Sequence, residues 1–127
     1  KMNYEIKLSD SGKYVIVCVN SDMTRELAEQ VGLEATHLAR KKNINLFLYD
    51  LRNSTNRESV NSNYIFAKQD INRIQPDYAN KIAMLASPND KSHNFVEIVL
   101  RNAGHNVLLF RDKEKALEWL LEETEIL

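Results

Sequence analysis

From Tyr4 to Ser9 apolar and polar residues alternate, the period of a half-exposed strand. Asp10-Ser11-Gly12-Lys13 follows with hairpin-turn composition, and Gly12 is able to take a positive φ. Tyr14 to Val19 is then apolar and rich in β-branched residues, which predicts a strand covered on both faces. The chain thus opens with a hairpin. Between Thr24 and Lys42 the period changes to that of a helix, with Leu27, Ala28, Val31, Ala35, Leu38 and Ala39 on one stripe. Asp22 or Ser21 is placed to cap it. Gly32 lies inside at a cost of about 1 kcal/mol relative to alanine, which predicts a close helix-to-sheet contact.

Ile44 to Leu51 reads as a buried strand, followed by the polar loop Arg52 to Asn56. Thr55 and Glu58 stand in capping-box spacing, so Thr55 is the expected N-cap of a second helix. Its apolar face is expected to be Val60, Tyr64, Ala67, Ile71 and Ile74, with Pro76 just past its end. Lys81 to Ala86 is the next strand, and Ser87 to His93 a polar loop. A helix from Asn94 to Ala103 buries Phe95, Val96, Val99 and Leu100, and Gly104 occupies its C-terminal cap. Val107 to Phe110 is a short strand. Asp112 caps a last helix that buries Ala116, Leu117, Leu120 and Leu121.

The order is β-β-α-β-α-β-α-β-α. Strands alternating with helices predict an α/β sandwich on a mixed five-stranded sheet, with right-handed crossovers and one antiparallel strand from the hairpin. Its 127 residues fit one domain, residues 2–127, with Met2 as the native start and Lys1 extraneous. Apolar residues at 43% and charged residues at 28% give an ordinary globular balance. With 17 basic and 18 acidic residues the formal charge is -1, which argues against nucleic acid or an anionic membrane as partner. The single cysteine, Cys18, sits in an apolar strand and is expected to be a small buried hydrophobe in a cytoplasmic protein.

The hairpin-first order with Asp50-Leu51 closing the third strand resembles the STAS domains. Closest is the SpoIIAA-like family, related to the anti-sigma-factor antagonists. Ser87-Pro88-Asn89-Asp90-Lys91-Ser92-His93, Asn102-Ala103-Gly104-His105 and Phe110-Arg111-Asp112, leading into Ala116-Leu117-Glu118-Trp119-Leu120, carry the resemblance. The resemblance implies a non-enzymatic regulatory module that binds a kinase-like or regulatory protein and is switched by phosphorylation of a serine after the third strand. The family's Asp-Ser-Ser-Gly pattern is absent here, where Arg52-Asn53-Ser54-Thr55-Asn56-Arg57-Glu58-Ser59 stands instead. Ser54, Thr55 and Ser59 are the neighbouring hydroxyls, and with Asn61 and Asn63 they form the expected phosphoacceptor and partner-contact surface. A phosphate there would be favoured by Arg52, Arg57 and a helix N-terminus. Self-association as a homodimer fits the same reading.

Open parallel sheets bind ligands at the carboxyl ends of their strands, which here present Asp50, Arg52, Ser87, Asp90, Ser92, His93 and Arg111 as a candidate ligand edge. The plainer reading makes these residues caps and turns. His93, Asp90 and Arg111 are the residues an enzyme would use, although sequence neighbours rarely build a triad. His37, His93 and His105 fall on different elements, so neither a metal site nor any cofactor is expected. Glycines are too scattered for a phosphate-binding loop. Trp119 is expected to pack. The alternative to the regulatory module is a small-molecule or lipid-binding domain with a pocket between sheet and helices.

Overall fold

The computed structural model describes residues 3–122. One five-stranded sheet runs in the order β1-β2-β3-β4-β5, formed by Tyr4–Leu8, Val15–Val19, Leu46–Asp50, Lys81–Leu85 and Asn106–Phe110. β1 and β2 pair antiparallel around the expected turn, where Gly12 has φ 75°, and every other pair is parallel. The helices are α1 (Arg25–Lys42), α2 (Val60–Ile65), α3 (Ile71–Ile74), α4 (Asn94–Asn102) and α5 (Lys113–Leu120). Among the described residues, no helix is long and apolar enough to cross a membrane.

Each parallel crossover adds the next strand on the same side of the last. Right-handed crossovers repeated in one direction put every crossover helix on one face, and the core reflects this. Val31, Ala35 and Ala39 of α1 and Val96, Val99 and Leu100 of α4 share one cluster with Val15, Val17, Val19, Phe47 and Met84. Among the described residues, the opposite face is covered by α5 alone, whose Ala116 and Leu120 pack on Leu48, Ala83 and Leu85. Trp119 packs there as expected, 5.6 Å from Phe110 between ring centres. α5 packs chiefly on β3, β4 and β5, and Ile16 and Cys18 of β2 are only half-buried rather than covered on both faces. Burial still raises the Cys18 thiol above its ordinary pKa, which keeps it protonated.

The segment between β3 and β4 departs from the expected order. It is not one helix but α2, a π-helical turn over Phe66–Asp70, and α3. A π turn holds an extra residue, so the inward-facing position upstream of it moves back by one. Asn63 is buried where Tyr64 was expected, and Val60 and Tyr64 are 66% and 49% exposed. The N-cap is Ser59, not Thr55: its hydroxyl accepts from the Ser62 amide at 3.0 Å. α1 is likewise capped by Thr24, accepting from the Leu27 amide at 3.1 Å, rather than by Asp22 or Ser21. Asp112 caps α5 as expected, accepting from the Glu114 and Lys115 amides, but Leu121 lies past its end and is exposed.

Gly32 makes a close contact, though with a helix and not with the sheet. A Cβ built on it would stand 2.6 Å from Cδ1 of Ile74 on α3. Only a residue without a side chain lets α1 and α3 approach this closely.

Candidate functional site

Asp50, Leu85 and Phe110 end β3, β4 and β5, so the three following loops meet on one edge of the sheet. Arg52 Nε and Nη2 donate to Asp50 Oδ1 and Oδ2 at 2.9 and 2.7 Å. Burial alone would raise the Asp50 carboxyl, but the hydrogen bonds from Arg52 outweigh it and hold the carboxyl below its usual range. Ser87 Oγ donates to the Arg52 carbonyl at 2.7 Å. Arg111 Nη2 donates to the Asp90 carbonyl at 2.8 Å and to Asn94 Oδ1 at 3.1 Å. Ser92 Oγ accepts from the Asn56 amide at 2.9 Å.

All seven residues of the expected ligand edge therefore do stand together. Asp50, Arg52 and the Asp90 carboxylate bond within their own loops, and Ser87, Ser92, His93 and Arg111 brace one segment against another. His93 shows this most clearly. It is 1% exposed, and its Nε2 lies 2.8 Å from the Ser54 carbonyl. A carbonyl only accepts, so Nε2 carries the proton and donates. Asp90 Oδ2 lies farther off, 3.7 Å from the same nitrogen.

The expected phosphoacceptors separate. Ser54 is 2% exposed with its hydroxyl buried and unpartnered among the described residues, so no kinase reaches it in the folded chain. Thr55 is half-buried, and its carbonyl accepts from the Met23 amide at 2.9 Å. Ser59 and Asn61 are exposed. Asn63, expected on the partner surface, is instead inside: it accepts from Asn56 Nδ2 at 2.7 Å and donates to the Glu58 and Ser59 carbonyls.

Behind this edge lies a feature formed by the tertiary structure. A cavity of about 120 Å³ separates the helix-covered face of the sheet from α1, α3 and α4. Phe47 and Tyr49 of β3 and Leu51 just past its end line it, the alternate positions that face one side of an extended chain. Val31, Ile71, Ile74, Met84 and Val96 close it from the helices and β4, and Asn56, Asn63 and His93 stand at the end beneath the loops.

Tyr49 is the polar group of its β3 wall. Burial raises its ionisation well above the ordinary phenol value, and the half-buried side chain lines the cavity. No described residue is hydrogen-bonded to its hydroxyl. Sequence reasoning passed over Tyr49 because a tyrosine in an apolar strand has no local mark of a site.

Arg25 and Asp70, also unforeseen, are 45 positions apart. Arg25 Nε and Nη2 donate to Asp70 Oδ2 and Oδ1 at 2.9 and 3.1 Å across the α1–π-turn junction. The Asp70 side chain is only 4% exposed, and the Arg25 guanidinium holds its carboxyl below the usual range.

Among the described residues, no three His, Cys, Asp or Glu side chains are grouped to hold a metal ion. Compared with known proteins, the chain matches no family model and no curated sequence.

Proposed function

We propose that the protein is a non-enzymatic binding module whose cavity takes a small, largely apolar molecule with one hydrogen-bonding group. The cavity with Tyr49 in its wall carries this reading. Its volume of about 120 Å³ is comparable to that of an apolar cavity that takes up one small ring. In this reading a ligand fills that space and the Tyr49 hydroxyl supplies its polar contact. Binding is favoured over catalysis because the Asp50 and Asp90 carboxylates are engaged within their own loops and His93 and Arg111 in holding one segment to another.

The test is calorimetric titration and thermal unfolding with benzene, phenol and indole as probes, molecules matched to a cavity of this volume. Expected are saturable binding and a raised unfolding temperature, both lost in Ala28→Leu, which fills the cavity lined by Ala28. Absence of binding by all three probes, or binding undiminished by Ala28→Leu, overturns the reading.

A second reading rests on α2. Exposed Val60 and Tyr64 beside the exposed N-cap Ser59 support a regulatory protein contact there, with Ser59 rather than Ser54 as phosphoacceptor. Capture of an interacting protein that is lost on Tyr64→Glu tests it, and retention of that protein by the variant removes it.

A further inference from the structure

β1 is an outer strand of the sheet, and among the described residues no strand pairs with its far edge. The hydrogen bonds to β2 fix which of its backbone groups point outward. The Asn20 amide donates to the Asn3 carbonyl at 2.7 Å, and the Ser9 amide donates to the Tyr14 carbonyl at 2.9 Å. Both pairs continue the β1–β2 register. Bonded and non-bonded pairs alternate along an antiparallel ladder, so Asn3, Glu5, Lys7 and Ser9 bond inward. Tyr4, Ile6 and Leu8 then present their N–H and C=O groups to the outside.

We infer that a second copy of this chain pairs antiparallel with β1 about a twofold axis at Ile6, making one continuous sheet through the two subunits. Three registers, centred on residues 5, 6 and 7, bring β1 against its own copy with little overhang. A centre on residue 5 or 7 sets Glu5 against Glu5 or Lys7 against Lys7, and like charges directly opposite are destabilising. A centre on Ile6 sets Glu5 against the partner subunit's Lys7, and Lys7 against the partner subunit's Glu5. That same register bonds Ile6 to the partner's Ile6 and Tyr4 to the partner's Leu8, so the outward backbone groups are used throughout. Its charged pairs fall at the non-bonded positions, where side chains lie closest.

Edge strands commonly carry charge to prevent such pairing. Here the two signs sit two residues apart on one face, 3.7 Å from each other within the chain, which disfavours the other registers and favours this one. The axis is perpendicular to the sheet, so both α1 helices end on the same side of the seam. Leu33 of α1 is 42% exposed above the groove that Ile6 and Leu38 also line, and the second copy's α1 covers it.

Sedimentation equilibrium on the full chain tests this, with Lys7→Glu and the double swap Glu5→Lys/Lys7→Glu. Expected is a reversible dimer that Lys7→Glu weakens about tenfold or more and the double swap restores, because exchanging both signs keeps the pairs opposite. Ile6→Cys in a Cys18→Ser background is expected to form a disulfide-linked dimer on oxidation, since bonded pairs sit about 5.5 Å apart at Cα. A chain monomeric up to about 1 mM, a dimer indifferent to Lys7→Glu, or a double swap no tighter than the single variant overturns the inference. Failure of Ile6→Cys to cross-link while a dimer persists overturns it as well.

Discussion

Asn56 and Asn63 are joined side chain to side chain, Nδ2 of the first donating to Oδ1 of the second at 2.7 Å in the interior. This bond ties the loop after β3 to α2, and it exists because the π turn brings Asn63 inward. Asn63→Ala leaves the Asn56 amide group and the Glu58 and Ser59 carbonyls without a side-chain partner. A loss of about 2 kcal/mol in urea-unfolding free energy is expected. If Tyr64→Ala costs more than Asn63→Ala, the inward phase is that of an unbroken helix after all.

Ser59→Ala removes the α2 cap and is expected to cost about 1 kcal/mol. Thr55→Ala, at the position that the capping-box spacing singles out, is expected to stay within about 0.5 kcal/mol of wild type. Paired denaturation curves decide between them, and a reversed ranking contradicts the cap seen here.

Gly32→Ala sets a gain of about 1 kcal/mol in helix propensity against the clash with Ile74 Cδ1. In an Ile74→Val background, which lacks that methyl, Gly32→Ala is expected to raise stability by up to about 1 kcal/mol; in wild type it is not. Equal effects in the two backgrounds would mean that the contact is not what Gly32 serves.

Asp70 is held ionised by Arg25, so its folded pKa lies below its unfolded one. A depressed carboxyl pKa contributes stability that is present above about pH 4 and lost on acidification through the folded value. Wild type is therefore expected to lose stability more steeply than Asp70→Asn as pH falls from about 5 to 2. Parallel slopes in thermal melts across that range would show that the pair contributes nothing to the pH dependence.

Tyr49→Phe deletes a hydroxyl with no partner among the described residues and should leave stability within about 0.5 kcal/mol of wild type. Phenol, which can hydrogen-bond to that hydroxyl, is expected to lose affinity in the variant, and benzene is not. Calorimetry with both probes checks it; equal loss for the two removes Tyr49 as the polar contact.

Alternation in Tyr4–Ser9, the apolar runs of the inner strands and the stripe of α1 are local patterns. They determined the α/β class, the mixed five-stranded sheet and the position of most elements, because strand and helix periods are set by the backbone alone. The three loops of the candidate edge were legible for the same reason: parallel strands with helical crossovers put their carboxyl ends together. What the loops do there was not legible. Whether His93 faces solvent or donates to Ser54 depends on a residue 39 positions away.

Only the tertiary structure decided the rest. The π turn is invisible to a periodicity count, since Val60, Tyr64, Ala67, Ile71 and Ile74 fit an unbroken helix perfectly well as a string. Packing against α1 and the loop after β3, with Asn56 there to meet Asn63, chose the other phase. The cavity belongs to no segment. It is the space left where Gly32, Tyr49 and Ile74, far apart in the chain, approach without filling the gap between sheet and helices. Local propensity specifies elements; the distances between them are set by side chains from remote parts of the chain, and voids and buried polar pairs are properties of those distances.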